Sequence, residues 1–118
     1  MKKILLITGL MATAVVFYNC HGSKKATSST SARKLTYEAD VKALVEANCS
    51  PCHIPSKGGN KRAYDNAANI SQDIDDIIHR IELNPTDRGF MPFRRPTKLS
   101  DSTINVFKKW KADGMMEK

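Results

Sequence analysis

Cys49-Ser50-Pro51-Cys52-His53 constrains the fold of this chain more than any other stretch. It reads C-x-x-C-H, two thiols two residues apart followed directly by an imidazole. Thiols at that spacing can add covalently to the two vinyl groups of one haem, and the histidine beside them can supply a nitrogen to its iron. A chain built on such a turn has to wrap a large flat cofactor. With 118 residues it holds one small domain, whose core is marginal unless a cofactor, metal or disulfide adds to it.

Paired cysteines have two other common uses. A zinc site needs four ligands. The chain has three cysteines and three histidines, and the spare Cys20, His21 and His79 are scattered along it. A thioredoxin-type site places C-x-x-C after a strand, at the start of a helix that depresses the thiol pKa. Here a helical pattern precedes the motif and no strand pattern does. Haem attachment is the reading that survives.

The N-terminus reads as an export segment over residues 1–19. Lys2 and Lys3 precede an uncharged, mostly apolar run from Ile4 to Phe17. That run is shorter than the roughly 20 residues a membrane span needs. Cys20, where the run ends, is the candidate for lipid modification, although Phe17-Tyr18-Asn19 resembles that signal only loosely. Residues 20–34 are rich in Ser, Thr, Ala and Lys and read as a flexible tether, with a reach of about 20 Å from ~5–6 Å times the square root of its length. The folded domain is expected over 35–118. The expected location is the periplasmic side of a bacterial membrane, held there by a lipid anchor.

The net charge is +7, and seven basic residues between Arg88 and Lys111 face only Asp101 in the same stretch. Such a field suits a redox partner with an acidic docking face, or simply a solvated surface. Interleaved aromatics and nucleic-acid motifs are absent, which argues against a nucleic-acid partner.

Three helices are expected. Thr36 caps the first, from Tyr37 to Ala47 or Asn48, with Tyr37, Val41, Leu44 and Val45 on one face. Residues 54–70 read as loop, with a helical turn over Tyr64 to Ala68. Ser71 is the expected cap of the second helix, whose stripe is Ile74, Ile77, Ile78 and Ile81. Asp73, Asp75 and Asp76 then lie near its positive end, a better role for them than binding a hard cation. A proline-punctuated loop follows from 83 to 99. The third helix begins with a staple of Leu99, cap Ser100 and Ile104, buries Ile104, Phe107 and Trp110, and stops at Gly114. Period-2 alternation is absent, so strands are not expected.

The sixth iron ligand has two candidates. Met91, in Gly89-Phe90-Met91-Pro92, offers a thioether inside the loop, where methionine is also a common core filler. His79 falls away from the isoleucine stripe and reads as exposed. His21 in the tether, and Met115 and Met116 at an expected frayed end, are weaker.

These pieces together resemble a class I monohaem cytochrome c, of the small kind found as domains of bacterial lipoproteins. The likeness covers about Tyr37 to Gly114. A helix leads into Cys49-Ser50-Pro51-Cys52-His53, a loop carries Lys57-Gly58-Gly59 and Tyr64-Asp65, and Met91-Pro92 precedes Leu99-Ser100-Asp101 and a helix with Trp110 and Gly114. The resemblance implies an all-α cytochrome c-like fold of three main helices around one covalent haem c. It implies thioether bonds at Cys49 and Cys52, with His53 proximal and Met91 distal. It also implies packing of the first helix against Phe107 and Trp110, and single-electron transfer without substrate turnover. His53 and Met91 are close in sequence for this family, which shortens the distal side. Arg62, Tyr64, Arg94 and Arg95 are candidates for pairing with the haem propionates. Two other functions compete: a haem peroxidase or ligand sensor with an open distal site, and a haemless thiol–disulfide protein.

Overall fold

The computed structural model describes residues 33–118. The export segment, Cys20 and the tether as far as residue 32 lie outside the described residues.

The first helical run opens with a π-helical turn, Tyr37–Val41, and continues as α1, Lys42–Asn48. Thr36 is its cap, as expected, and its hydroxyl accepts from the Ala39 amide at 3.4 Å. The Asp40 carboxylate accepts from the Thr36 amide at 2.8 Å and from the Arg33 guanidinium at 2.6 Å. Those bonds, the Arg33 pair first, hold the Asp40 carboxyl below its ordinary value. Arg33, inside the expected 20–34 tether, is therefore held by an ion pair to the first helical run.

α2 spans Ala67–Glu82 and begins four residues ahead of the Ser71 cap expected from sequence. Asn66 is the cap, accepting from the Asn69 amide at 2.9 Å. The Ser71 hydroxyl instead donates to the Ala67 carbonyl at 2.8 Å, inside the helix. The aspartates consequently sit beyond the first turn, where the helix dipole has faded. They form ion pairs instead: Asp73 with Arg62, Asp75 with Lys111 and Asp76 with Arg80. Ile70, Ile74, Ile77 and Ile81 are buried, so the stripe begins one helical turn earlier than the sequence suggested.

α3, Asp101–Ala112, starts at Ser100 as expected, with the hydroxyl accepting from the Thr103 amide at 3.2 Å. Gly114 follows at φ +102°, a left-handed turn that glycine makes without a Cβ penalty. The chain end is not frayed. Trp110 Nε1 donates to the Met116 carbonyl at 2.9 Å, and that carbonyl also accepts from the Tyr37 amide at 2.9 Å. The Asp113 carboxylate ties both ends of the domain together, accepting from Leu35 N at 2.7 Å and Lys109 Nζ at 2.7 Å.

The first helical run and α3 pack as the resemblance implied, with the Tyr37 and Trp110 rings 6.3 Å apart and tilted by 48°. Val41, Val45, Phe107 and Ile70 complete the most enclosed part of the core. α2 packs on α3, and Lys108–Glu82 at 2.5 Å and Lys111–Asp75 lie across that junction. Such exposed pairs contribute about 0–1 kcal/mol each. Strands are absent among the described residues, where Thr36 and Met116 form only an isolated bridge. The result is an all-α, cytochrome c-like arrangement of three helices.

Candidate cofactor site

The C-x-x-C-H turn continues directly from α1. Cys49 is the C-cap, its amide donating to Val45 O at 2.8 Å, and His53 N then donates back to Cys49 O at 3.0 Å. That coiling keeps both cysteines and the histidine beside one cavity. Buried Ile54 anchors the turn from below.

The loop after the motif laces back onto it. Lys61 N donates to Cys52 O at 3.0 Å, Tyr64 N to His53 O at 2.9 Å and Gly59 N to Ile54 O at 3.1 Å. Gly59 must be glycine on steric grounds. A Cβ there would crowd the carbonyl oxygens of Pro51, Cys52 and Ile54, at 2.6 and 2.8 Å from the latter two.

A cavity of about 660 Å³ opens between this turn, α2 and the 91–99 loop. Its size lies in the roughly 300–1,000 Å³ range of cofactor sites. Cys49, Cys52, His53 and Met91 all line it, and Ile77 and Ile81 supply its apolar wall from α2.

The His53 ring is fixed through one of its nitrogens. Its Nδ1 lies 2.7 Å from the Arg62 carbonyl oxygen. A carbonyl only accepts, so Nδ1 carries the proton and Nε2 keeps its lone pair. The Tyr64 ring stacks on the imidazole at 4.5 Å and 6°. Burial, aided by Asp73, raises the Tyr64 phenol to about 12, so it stays a neutral donor, bonded to Asp73 Oδ2 at 3.3 Å.

Cys49 and Cys52 form no disulfide. Burial pushes the Cys49 thiol up to about 11, against a smaller opposing pull from Arg95. A redox-active C-x-x-C depends on the reverse shift. The donor set therefore suits thioether attachment and one nitrogen ligand.

Met91 is half-buried, and its amide donates to Arg80 O at 3.1 Å, which ties the loop to α2. His79 is exposed and does not line the cavity. Of the four propionate candidates, Arg62, Tyr64 and Arg95 line the cavity. Arg95 also donates to the Ala47 carbonyl at 3.4 Å. Arg94 does not line it; its guanidinium lies 5.0 Å from the Phe93 ring centroid. Sequence reasoning missed Arg80, Asp76, Asn48 and Lys61, which line the same cavity. Arg80 was within reach, standing three residues after Ile77 on one helical face.

Residues 37–110 match a protein family described as cytochrome C oxidase, cbb3-type, subunit III. No curated protein and no solved structure matches the chain.

Proposed function

The chain belongs to the family described as cytochrome C oxidase, cbb3-type, subunit III, as a class I monohaem c-type cytochrome domain that binds covalent haem and transfers electrons, and from that premise we propose how its own residues do so. When bound, the haem supplies a reversible one-electron iron couple. Cys49 and Cys52 would hold the haem through two thioether links, an addition of each thiol across a vinyl group that needs no oxidant. His53 Nε2 and the Met91 sulfur would hold its iron. Arg62, Tyr64 and Arg95 stand where charge-assisted bonds to propionates are available.

The observation that carries this reading is the convergence of Cys49, Cys52, His53 and Met91 on one cavity, with the His53 tautomer fixed by Arg62 O. The protein acts as a carrier, without substrate turnover. Met91 in the cavity wall favours a filled sixth position over an open peroxidase or sensor site, and the raised Cys49 thiol disfavours thiol–disulfide exchange. The direct test is the ferric spectrum of wild type and Met91→Ala. Loss of the Met–iron charge-transfer band in the variant supports the assignment, and a wild-type spectrum without that band contradicts it.

The partner is a redox protein with an acidic face. Lys108, Lys109 and Lys111 are paired with Glu82, Asp113 and Asp75. Arg88, Arg94, Arg95 and Lys98 make no salt bridge among the described residues. These four charges lie on the loop that carries Phe93, which is 66% exposed. The domain works on the periplasmic side of a bacterial membrane, exported by residues 1–19 and anchored through lipid on Cys20.

A further inference from the structure

We propose that Asp73 is a positioning residue for the proximal imidazole, and through it sets the reduction potential and the electronic asymmetry of the haem. The inference rests on the reading of His53 as the proximal ligand.

Two groups restrain His53 away from its metal-binding nitrogen. Arg62 O takes the Nδ1 proton at 2.7 Å, and the Tyr64 ring covers one face at 4.5 Å. Both lead to the same carboxylate on α2. Arg62 Nε pairs with Asp73 Oδ2, and a second arm of the guanidinium donates to Gln72 Oε1 at 2.6 Å. The Tyr64 hydroxyl reaches the same Asp73 oxygen at 3.3 Å. One side chain therefore fixes both the hydrogen-bond acceptor and the stacking plate of the imidazole. This follows from the early start of α2 at Ala67, which carries Asp73 past the first turn and alongside residues 62–64.

Such an arrangement exceeds what stability requires. The Arg62 side chain is 48% exposed and Asp73 25%, so solvent screens the pair. Its effect on the imidazole is stronger. A firm Nδ1–H···O=C bond makes the ring a better electron donor and fixes its plane, the usual task of groups behind a metal-bound histidine. Better donation and a nearby negative charge both favour the ferric state.

The sign for Asp73→Asn follows. A looser Nδ1 bond and a lost negative charge both disfavour the ferric form, so the potential rises. The expected change is about tenfold in the ferrous-to-ferric ratio at fixed ambient potential, roughly 59 mV for a one-electron couple. A freed ring plane also changes the spread of the ferric haem-methyl NMR shifts, which report imidazole orientation.

The test compares holoprotein of wild type, Asp73→Asn, Asp73→Glu, Tyr64→Phe and Asp75→Asn by redox titration, ferric NMR and thermal melting. Asp75 is on the same helix, pairs with Lys111 and touches neither Arg62 nor Tyr64. Asp73→Asn should raise the potential and alter the methyl pattern with little change in melting. Asp73→Glu should move both back toward wild type. Tyr64→Phe keeps the stacking ring, loses the bond to Asp73 and should alter the methyl pattern in part. A methyl pattern unchanged in both Asp73→Asn and Tyr64→Phe, or changed equally by Asp75→Asn, overturns the proposal. His53→Ala examines the reading beneath it: an unchanged ferric spectrum there removes His53 as ligand, whatever Asp73 does.

Discussion

The His53 imidazole donates its Nδ1 proton to the Arg62 carbonyl at 2.7 Å, across nine residues of chain. That single bond leaves the lone pair on Nε2. The bond exists because the post-motif loop folds back, with Lys61 and Tyr64 amides held by Cys52 and His53 carbonyls. Cofactor binding is thereby prepared by backbone geometry before the cofactor is considered.

Gly59 should be the most sensitive residue of that loop. Gly59→Ala forces a Cβ against three carbonyl oxygens of the motif turn. Overpacking of this kind costs about 1–3 kcal/mol. Lower melting and lower haem yield are expected. Gly58→Ala meets open space at φ +84° and should cost about 1–2 kcal/mol, from backbone conformation alone, with haem yield unchanged. Equal losses in the two variants would show that the close approach does not matter.

Met91→Ala should lower the reduction potential and open the sixth position, because thioether ligation favours ferrous iron. Carbon monoxide binding to the reduced protein reads the second effect. Tight binding should appear in the variant and not in wild type.

Acid should loosen the two ends of the domain. Asp40 is held below its ordinary value of 3.8, first by Arg33, and Asp113 likewise, first by Lys109. Depressed carboxyls contribute stability that is present above the unfolded value and lost as pH falls through the folded one. Melting temperature should therefore fall as pH drops below 3.8, and Asp40→Asn with Asp113→Asn should flatten that part of the profile. A wild-type slope retained by the double variant would assign the acid sensitivity elsewhere.

Electron transfer to an acidic partner should slow with salt, since screening shortens the reach of exposed charge. Arg94→Glu with Arg95→Glu should reduce the association rate and the salt dependence together. Lys108→Glu, at a position already paired with Glu82, should have less effect on that rate.

Local signals were legible in the sequence and tertiary ones were not. Leu99, Ser100 and Ile104 announced α3 because a cap and its staple lie within six residues. The start of α2 was misplaced because Asn66 and Ser71 are both competent caps, and Ala67-Ala68-Asn69 carries too little apolar signal to choose between them. The π-helical opening at Tyr37 has no local marker. Asp73 and Asp75 looked like dipole residues because their basic partners are distant in sequence, whereas Asp76 pairs with Arg80 one turn further along the same helix. The fixed Met115–Met116 end depends on Trp110 and Tyr37, which no reading of the last residues contains. In the site, C-x-x-C-H and Met91 were readable as chemistry. Gly59 became visible only once the carbonyls of the motif turn had positions.

The central claim is that Cys49 and Cys52 carry one haem covalently, and intact mass spectrometry of the denatured protein tests it most directly. The protein should be made in a host with haem-attachment machinery. Wild type should be heavier by one haem than the equally processed Cys49→Ala with Cys52→Ala protein, after allowing for the two substitutions. A bare wild-type chain, or haem released from it on denaturation, would contradict the account.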